Sequence, residues 1–287
     1  MSGKKNLVAS VLARLKNVAK TNNVVYGEIL VRYAIERVLK RIELSGYADK
    51  CILKGGSLFI LWTDGFNYRP TMDADIEFRG DGSPQVLKAM FKAIARISVD
   101  DGIVIDAESV DVVAIREDDE YGGIRVTMMA HIGKVRVPVQ LDVGIGDAIT
   151  PPPKKFQFPS LLDFPAPRLK VYPRETVIAE KYETIVKRGL ANSRMKDYYD
   201  LWTLSNDPAV DKVFAKRAII KTFKRRKTII PESCPDGLAD VFAEMPTKVV
   251  QWNAFLRKNR LDVGNHSLAT IVRSVKGFID DILSQAT

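Results

Sequence analysis

Val8, Val11, Leu12, Leu15 and Val18 recur at close to helical spacing, so residues 8–18 carry one apolar side and predict a helix. A second helix is predicted over 29–44. There Leu30, Tyr33, Ala34, Val38 and Ile42 share a face, Lys and Arg take the other, and Gly46 is the candidate C-cap. The apolar runs then shorten. Residues 51–53 read as a strand running into Lys54-Gly55-Gly56, and Ser57 opens a helix through Trp62. A strand over 71–78 follows, then a helix over 83–97 with Ser83 as N-cap and Pro84 at its first position. Val and Ile enrichment predicts strands over 109–116, 123–131 and 134–143, the last two joined as a hairpin through Gly133. Alternation in the last places Val139, Leu141 and Val143 on one face, and Gln140 and Asp142 on the other.

Residues 150–173 contain seven prolines and read as an ordered linker or a loop crossing a surface. Beyond them, helices are predicted over 174–188, 196–205, 211–226, 238–258 and 267–284. The pattern thus predicts an α+β fold in three parts: residues 1–150, a Pro-rich connection over 151–173, and a helical domain over 174–287. A chain of 287 residues with 46% hydrophobic and 28% charged residues can bury a core without staples. Cys51 and Cys234 are too far apart in sequence for a metal or redox pair and read as reduced, buried thiols. With only His131 and His266, no zinc site is expected. The N-terminus lacks the apolar run of a signal peptide, and no segment approaches a membrane span. A cytoplasmic protein without membrane partners is expected.

The net charge of +9 favours a polyanionic partner if the excess is clustered. One cluster exists: Lys212, Lys216, Arg217, Lys221, Lys224, Arg225, Arg226 and Lys227 alternate with Val213, Phe214, Ile219, Ile220 and Phe223. This segment reads as an amphipathic helix with a basic outer face. A nucleic-acid contact and a merely solvated surface both fit it.

Gly55-Gly56-Ser57, after a strand, lets backbone approach an anion closely and sets Ser57 where a helix start favours phosphate. An ordinary turn with a Ser cap would look alike. Asp73-x-Asp75 narrows the reading. In an extended segment Arg69, Thr71, Asp73 and Asp75 share a face, and two such carboxylates repel unless a cation lies between them. Mg²⁺ suits oxygen ligands and leaves room for triphosphate oxygens, with Mn²⁺ as an alternative. Arg69 could offset charge or hold phosphate. A third acid would complete a two-metal site. Asp142 is the candidate and Asp147 a rival; Asp106 and Asp111 fit less well. Further on, Lys181 lies on a predicted helix, Asn192-Ser193-Arg194 forms a turn, and Lys196-Asp197-Tyr198-Tyr199-Asp200 opens the next helix. Asp197 and Asp200, at i and i+3, either complement the helix dipole or orient Lys181 and Arg194.

Gly55-Gly56-Ser57, Arg69-x-Thr71-x-Asp73-Ala74-Asp75, Ala179-Glu180-Lys181-Tyr182 and Asn192 through Leu201 occur in this order. Together they resemble the AbiEii/AbiGii toxin family of the nucleotidyltransferase superfamily, which includes the MenT toxins. The step from Ser57 to Asp73 is longer than the family usually shows. The resemblance implies a nucleotidyltransferase-like mixed sheet core with flanking helices, followed by a helical C-terminal domain. It implies that Gly55, Gly56 and Ser57 grip the triphosphate and that Asp73 and Asp75 bind metal. Lys181, Lys196, Asp197, Tyr199 and Asp200 match its later motifs. Asp142 rests on the strand pattern alone. The implied activity is metal-dependent transfer of a nucleotide from an NTP to RNA, with the tRNA 3′ end as expected acceptor and translation blocked as the result. An AbiEi-like antitoxin is the implied cognate partner. Transfer to a protein target, or a non-catalytic NTP- or RNA-binding module, are the alternatives.

Overall fold

The computed structural model describes residues 2–63, 68–115 and 123–286. Two helices open the chain, α1 (Ser2–Thr21) and α2 (Tyr26–Leu44). Of the stripe predicted on α1, Val11 and Leu15 are buried while Val8, Leu12 and Val18 are only half-buried; on α2, Tyr33, Ala34, Val38 and Ile42 are at most 1% exposed, and Leu39 joins them. Each large aliphatic among them stabilises the fold by roughly 1.5–3 kcal/mol. The cap of α2 is Ser45, one residue before Gly46, with its hydroxyl donating to the Ile42 carbonyl.

The strands are β1 (Cys51–Lys54), β2 (Ala74–Phe78), β3 (Val104–Ala114), β4 (Ile124–Ile132), β5 (Val135–Ile145), β6 (Lys154–Gln157) and β7 (Arg168–Val171). They form one mixed sheet in the order β3-β4-β5-β2-β1-β7-β6. The hairpin turns at Gly133, whose φ of 61° lies in the left-handed region that a glycine adopts without strain. β2 begins only at Ala74, so Asp73 stands just outside it. β3 starts earlier than expected, at Val104, and carries a register irregularity between Asp106 and Asp111. Arg116, the expected end of that strand, lies outside the described residues. Ser57 lies in a short 3-10 turn (Gly55–Leu58) that precedes α3 (Phe59–Trp62). The next helix, α4, runs Pro84–Ala95 behind Ser83.

The Pro-rich stretch is more than a connection. It contributes β6 and β7, and β7 lies parallel to β1, with Ile52 opposite Lys170 and Leu53 opposite Val171. The two strands occupy proline-free windows, with the prolines left between and beyond them. The loop between them is pinned to α2. Glu36, 1% exposed, accepts from Ser160 Oγ (2.5 Å) and from the Leu161 amide (2.9 Å), and pairs with Arg37. Arg37 Nη1 in turn donates to the Pro165 carbonyl at 3.3 Å. Burial pushes the Glu36 carboxyl up from its ordinary pKa, against the pull of Arg37 and these donors.

Packing divides the chain into two compact units. One comprises Met1–Gly146 with Lys154–Val171, and the other Asp147–Pro153 with Tyr172–Thr287. The second unit is helical: α5 (Arg174–Arg188), α6 (Met195–Ser205), α7 (Lys212–Arg225), α8 (Asp240–Glu244), α9 (Pro246–Asn259) and α10 (Leu268–Ser284). The single helix expected over 238–258 is broken before Pro246, whose missing N–H suits the first turn of a new helix but not a helix interior. Two helix starts carry side-chain caps: Asp211 accepts from the Phe214 amide and Ser267 from the Thr270 amide. On α7 the buried face is Ala215, Ala218, Ile219, Thr222 and Phe223. Val213, Phe214 and Ile220, expected on the apolar side, are 36–39% exposed, and Arg217 lies over the Phe214 ring. Among the described residues no helix is long and apolar enough to cross a membrane.

Candidate functional site

In the first unit, the site is a row of charges across four adjacent strands. Lys54 of β1 is opposite Asp75 of β2, Asp75 is opposite Asp142 of β5, and Asp142 is opposite Arg125 of β4. Residues paired in register share a face of the sheet, so all four side chains rise on one side. The Gly-rich turn closes one end of this row. Gly55 has φ 71°, and a Cβ built there would lie 1.8 Å from Asp75 Oδ2. The carboxylate of Asp75 therefore rests against bare backbone that only glycine leaves open. At Gly56 the same construction falls 2.6 Å from Arg69 Nη2, so the guanidinium covers the second glycine. Arg69 also lies over Tyr68, whose ring stacks on Phe59 with centroids 4.5 Å apart. Ser57 is 3% exposed, and its hydroxyl donates to the Lys54 carbonyl at 3.2 Å.

Replacing Gly55 by alanine is expected to strain the left-handed turn and drive a methyl group into Asp75. A loss of about 1–2 kcal/mol in unfolding free energy is expected from the backbone alone. Urea denaturation measures it; a change within about 0.3 kcal/mol would show that the turn relaxes.

Lys54, Glu77 and Arg125 of this face escaped the sequence reading as site residues. Glu77, on β2 two residues beyond Asp75, is fully buried; its Oε2 lies 3.8 Å from Lys54 Nζ, and Arg79 approaches at 3.7 Å. Arg125 grips Asp142 through two bonds, Nε to Oδ1 at 2.9 Å and Nη2 to Oδ2 at 2.8 Å. The Gln140 amide, on the same face of β5, lies 3.1 and 3.2 Å from that guanidinium, and its oxygen is assigned to that side because only then do both groups find a partner. The bonds that Arg125 donates to Asp142 raise its pKa above the ordinary value against the opposing effect of burial, and the fields of Asp142, Asp73 and Asp75 add to them. Asp142 thus stands beside Asp75, as the third-acid reading requires, but its carboxylate is taken by an arginine. Asp147, the rival, belongs to the second unit, where its Oδ1 lies 3.5 Å from Arg226.

Among the described residues no three His, Cys, Asp or Glu side chains gather to hold a metal by themselves. Asp73 and Asp75 offer the oxygen donors that a hard cation takes. Mg²⁺ is commonly held by one or two carboxylates, the remaining positions going to substrate phosphates and water.

In the second unit, α5 and α6 bring the later motif residues together. Lys181 Nζ is 2.8 Å from Asp197 Oδ1 and 2.7 Å from Asp200 Oδ2, and Arg194 Nε is 2.8 Å from Asp197 Oδ2. Asp197 and Asp200 are 1% and 0% exposed. Burial alone would raise the Asp197 pKa; Lys181 and Arg194 outweigh it and hold the carboxyl below its ordinary value. The turn before α6 is made by Asn192, whose Oδ1 accepts from the Arg194 amide and whose carbonyl accepts from buried Lys248. Lys196 is exposed on the outer side of α6. Beside Lys181 on α5, Glu180 and Glu183 meet Arg226, and Thr228 Oγ1 donates to Glu183 at 2.5 Å.

Comparisons with known proteins agree with this architecture. The fold is shared with MenT4, the nucleotidyltransferase toxin Rv2826c from Mycobacterium tuberculosis H37Rv, at TM-score 0.57 and 18% identity, over 94% of this chain and 99% of that one. It is also shared with a candidate nucleotidyltransferase from H. pylori, at TM-score 0.51 and 13% identity, over 91% and 96% of the two chains. No protein of curated function matches the sequence. The sequence profile of the nucleotidyl transferase AbiEii toxins of type IV toxin–antitoxin systems matches residues 37–274, a span that holds the glycine turn, Asp73 and Asp75, and the Lys181 cluster. The chain therefore belongs to the AbiEii family of nucleotidyltransferase toxins.

Proposed function

We propose that this nucleotidyltransferase moves a nucleoside monophosphate from an NTP to a hydroxyl of RNA, with the 3′ end of tRNA as acceptor. In that reaction the hydroxyl oxygen forms a bond to the α-phosphorus, the bond from the α-phosphorus to the bridging oxygen breaks, and pyrophosphate and a proton leave. The observation that carries the transfer chemistry is the seat of Asp75 against Gly55. It sets a carboxylate beside backbone that an anion can approach, an arrangement that repels phosphate unless a cation is present. Asp73 and Asp75 are the residues proposed to hold that cation, Mg²⁺ by the hardness of their oxygens. Bound there, it would neutralise the developing charge and make the hydroxyl easier to ionise. Gly55, Gly56 and Ser57 are assigned to the phosphates, with Arg69 as their positive neighbour. Lys181, held by two acids, is assigned a contact with the triphosphate, and Arg194 and Lys196 supporting charge.

The outer side of α7 favours RNA as acceptor. Arg217, Lys221 and Lys224 are exposed there with Phe214, a mixture of cations and an accessible ring that suits phosphates and bases. Reversing Arg217, Lys221 and Lys224 to Glu is expected to cut RNA binding at least about tenfold and to flatten its salt dependence by roughly 2 log units per log unit of salt. Unchanged affinity across a salt series would remove α7 from the RNA surface. The proposal as a whole is tested with each labelled triphosphate and total tRNA. Label at the RNA 3′ end supports it; label on protein, or no transfer, overturns it. An AbiEi-like antitoxin and a cytoplasmic setting, where tRNA and NTPs meet, belong to the same proposal.

A further inference from the structure

We infer that Arg125 is an internal cation that a divalent ion must displace from Asp142. The inference rests on the metal reading of Asp73 and Asp75 and goes beyond it. Asp142 lies in register with Asp75 on a parallel strand, so their carboxylates rise side by side. Two carboxylates so placed raise each other's energy unless positive charge stands between or beside them. Arg125 supplies that charge from β4, the strand on the far side of β5. It does so as a fork, with both Asp142 oxygens occupied at 2.9 and 2.8 Å. A guanidinium keeps its proton under all physiological conditions, so it cannot vacate Asp142 by titrating. It can leave only by moving. The side chain is 43% exposed, against 21% for Asp142, and opens on solvent.

Three consequences follow for this chain. The acid row stays ordered before any metal arrives, because Arg125 neutralises the member nearest Asp75. Recruitment of Asp142 to a cation held by Asp75 becomes an exchange, guanidinium out and divalent ion in. Intrinsic metal affinity is correspondingly reduced in the absence of nucleotide. Lysine at this position would keep the charge but could not occupy both oxygens in the same planar geometry. Arg125 is a positioning residue on this account; it acts through Asp142.

The test is Mn²⁺ binding to the full chain without nucleotide, followed by the electron-spin resonance of the free ion. Arg125→Ala is expected to tighten Mn²⁺ binding by about tenfold, the size of one charge-assisted fork at a half-exposed site. Arg125→Lys is expected to tighten it as well, by a smaller factor. Asp142→Asn should weaken binding and cancel the gain when combined with Arg125→Ala. An equal gain in the Asp142→Asn background would mean that removal of positive charge alone is responsible, and would overturn the exchange. Unchanged affinity in both Arg125 variants, with binding still lost in Asp75→Asn, overturns the inference and leaves the metal reading standing. Failure of both the wild-type and the Arg125→Ala chain to bind Mn²⁺ through Asp75 overturns the two together. A gain in affinity also separates this role from a structural one, since a loosened sheet would bind metal less well.

Discussion

Asp75→Asn is expected to abolish nucleotide transfer, by about a thousandfold or more, while the protein stays folded. The substitution keeps the shape of the side chain against Gly55 and removes only its charge. Asp75 is half-buried and sits in a regular strand, so the backbone ladder of β2 with β1 and β5 is retained. A stability change within about 1 kcal/mol is expected, because replacing one of several neighbouring acids also relieves repulsion. Label transfer and thermal melting, measured on the same preparation, separate the two effects. Cells expressing the variant should grow where the wild type arrests them. Retention of a tenth of the wild-type rate would remove Asp75 from the reaction centre.

The second large effect is on folding. Lys181→Ala leaves Asp197 and Asp200 buried, with Arg194 facing only the first of them through the contacts described. Removing one partner from a buried ion pair typically costs about 3–5 kcal/mol, because the remaining charge has lost both water and its counterion. The pH dependence has a definite sign. In the wild type the Asp197 pKa is held below its ordinary value, so the pair contributes stability above the unfolded carboxyl pKa of about 4 and loses it as the pH falls through the folded value. Without Lys181, Asp197 keeps its burial and only Arg194 to oppose it, so less of this stability is present above the unfolded carboxyl pKa. The gap between variant and wild type should therefore narrow from pH 7.5 toward pH 4. Urea denaturation across that range measures it. A gap under about 1 kcal/mol at neutral pH, or one that widens toward acid, would show that the carboxylates find another partner.

The parts of this structure that follow local rules were legible in the chain. Period-two alternation in 137–143 and the glycine at 133 gave the hairpin, and a strand running into two glycines gave the turn beneath Asp75. Arg125 was not read, although its signal exists: residues equidistant from the turn at Gly133 and Lys134 face each other, which sets Arg125 opposite Asp142. Pairing across strands is set by register, and register becomes visible only once the turn is placed. β6 and β7 were hidden for a different reason. Four residues between prolines carry little propensity of their own; β7 becomes a strand because the edge of β1 offers it a partner, and β6 because β7 does. On α7, Ile219 and Ile220 are indistinguishable by composition, and packing alone decides that the first is buried and the second exposed. The Lys181 cluster was legible as spacing, but the burial of both acids was not.

The late arrival of β7 has a consequence for synthesis. A ribosome that has released residues up to Gly146 has already delivered β1 through β5, yet the free edge of β1 has no neighbour until Arg168–Val171 appears. Over the same interval Glu36 waits within α2 for Ser160 and Leu161. An unpaired strand edge and a carboxylate lacking its donors are both invitations to wrong partners. The growing chain is therefore expected to remain open along this edge, and to rely on chaperones or on speed, until about the last two-fifths of its length begins to emerge.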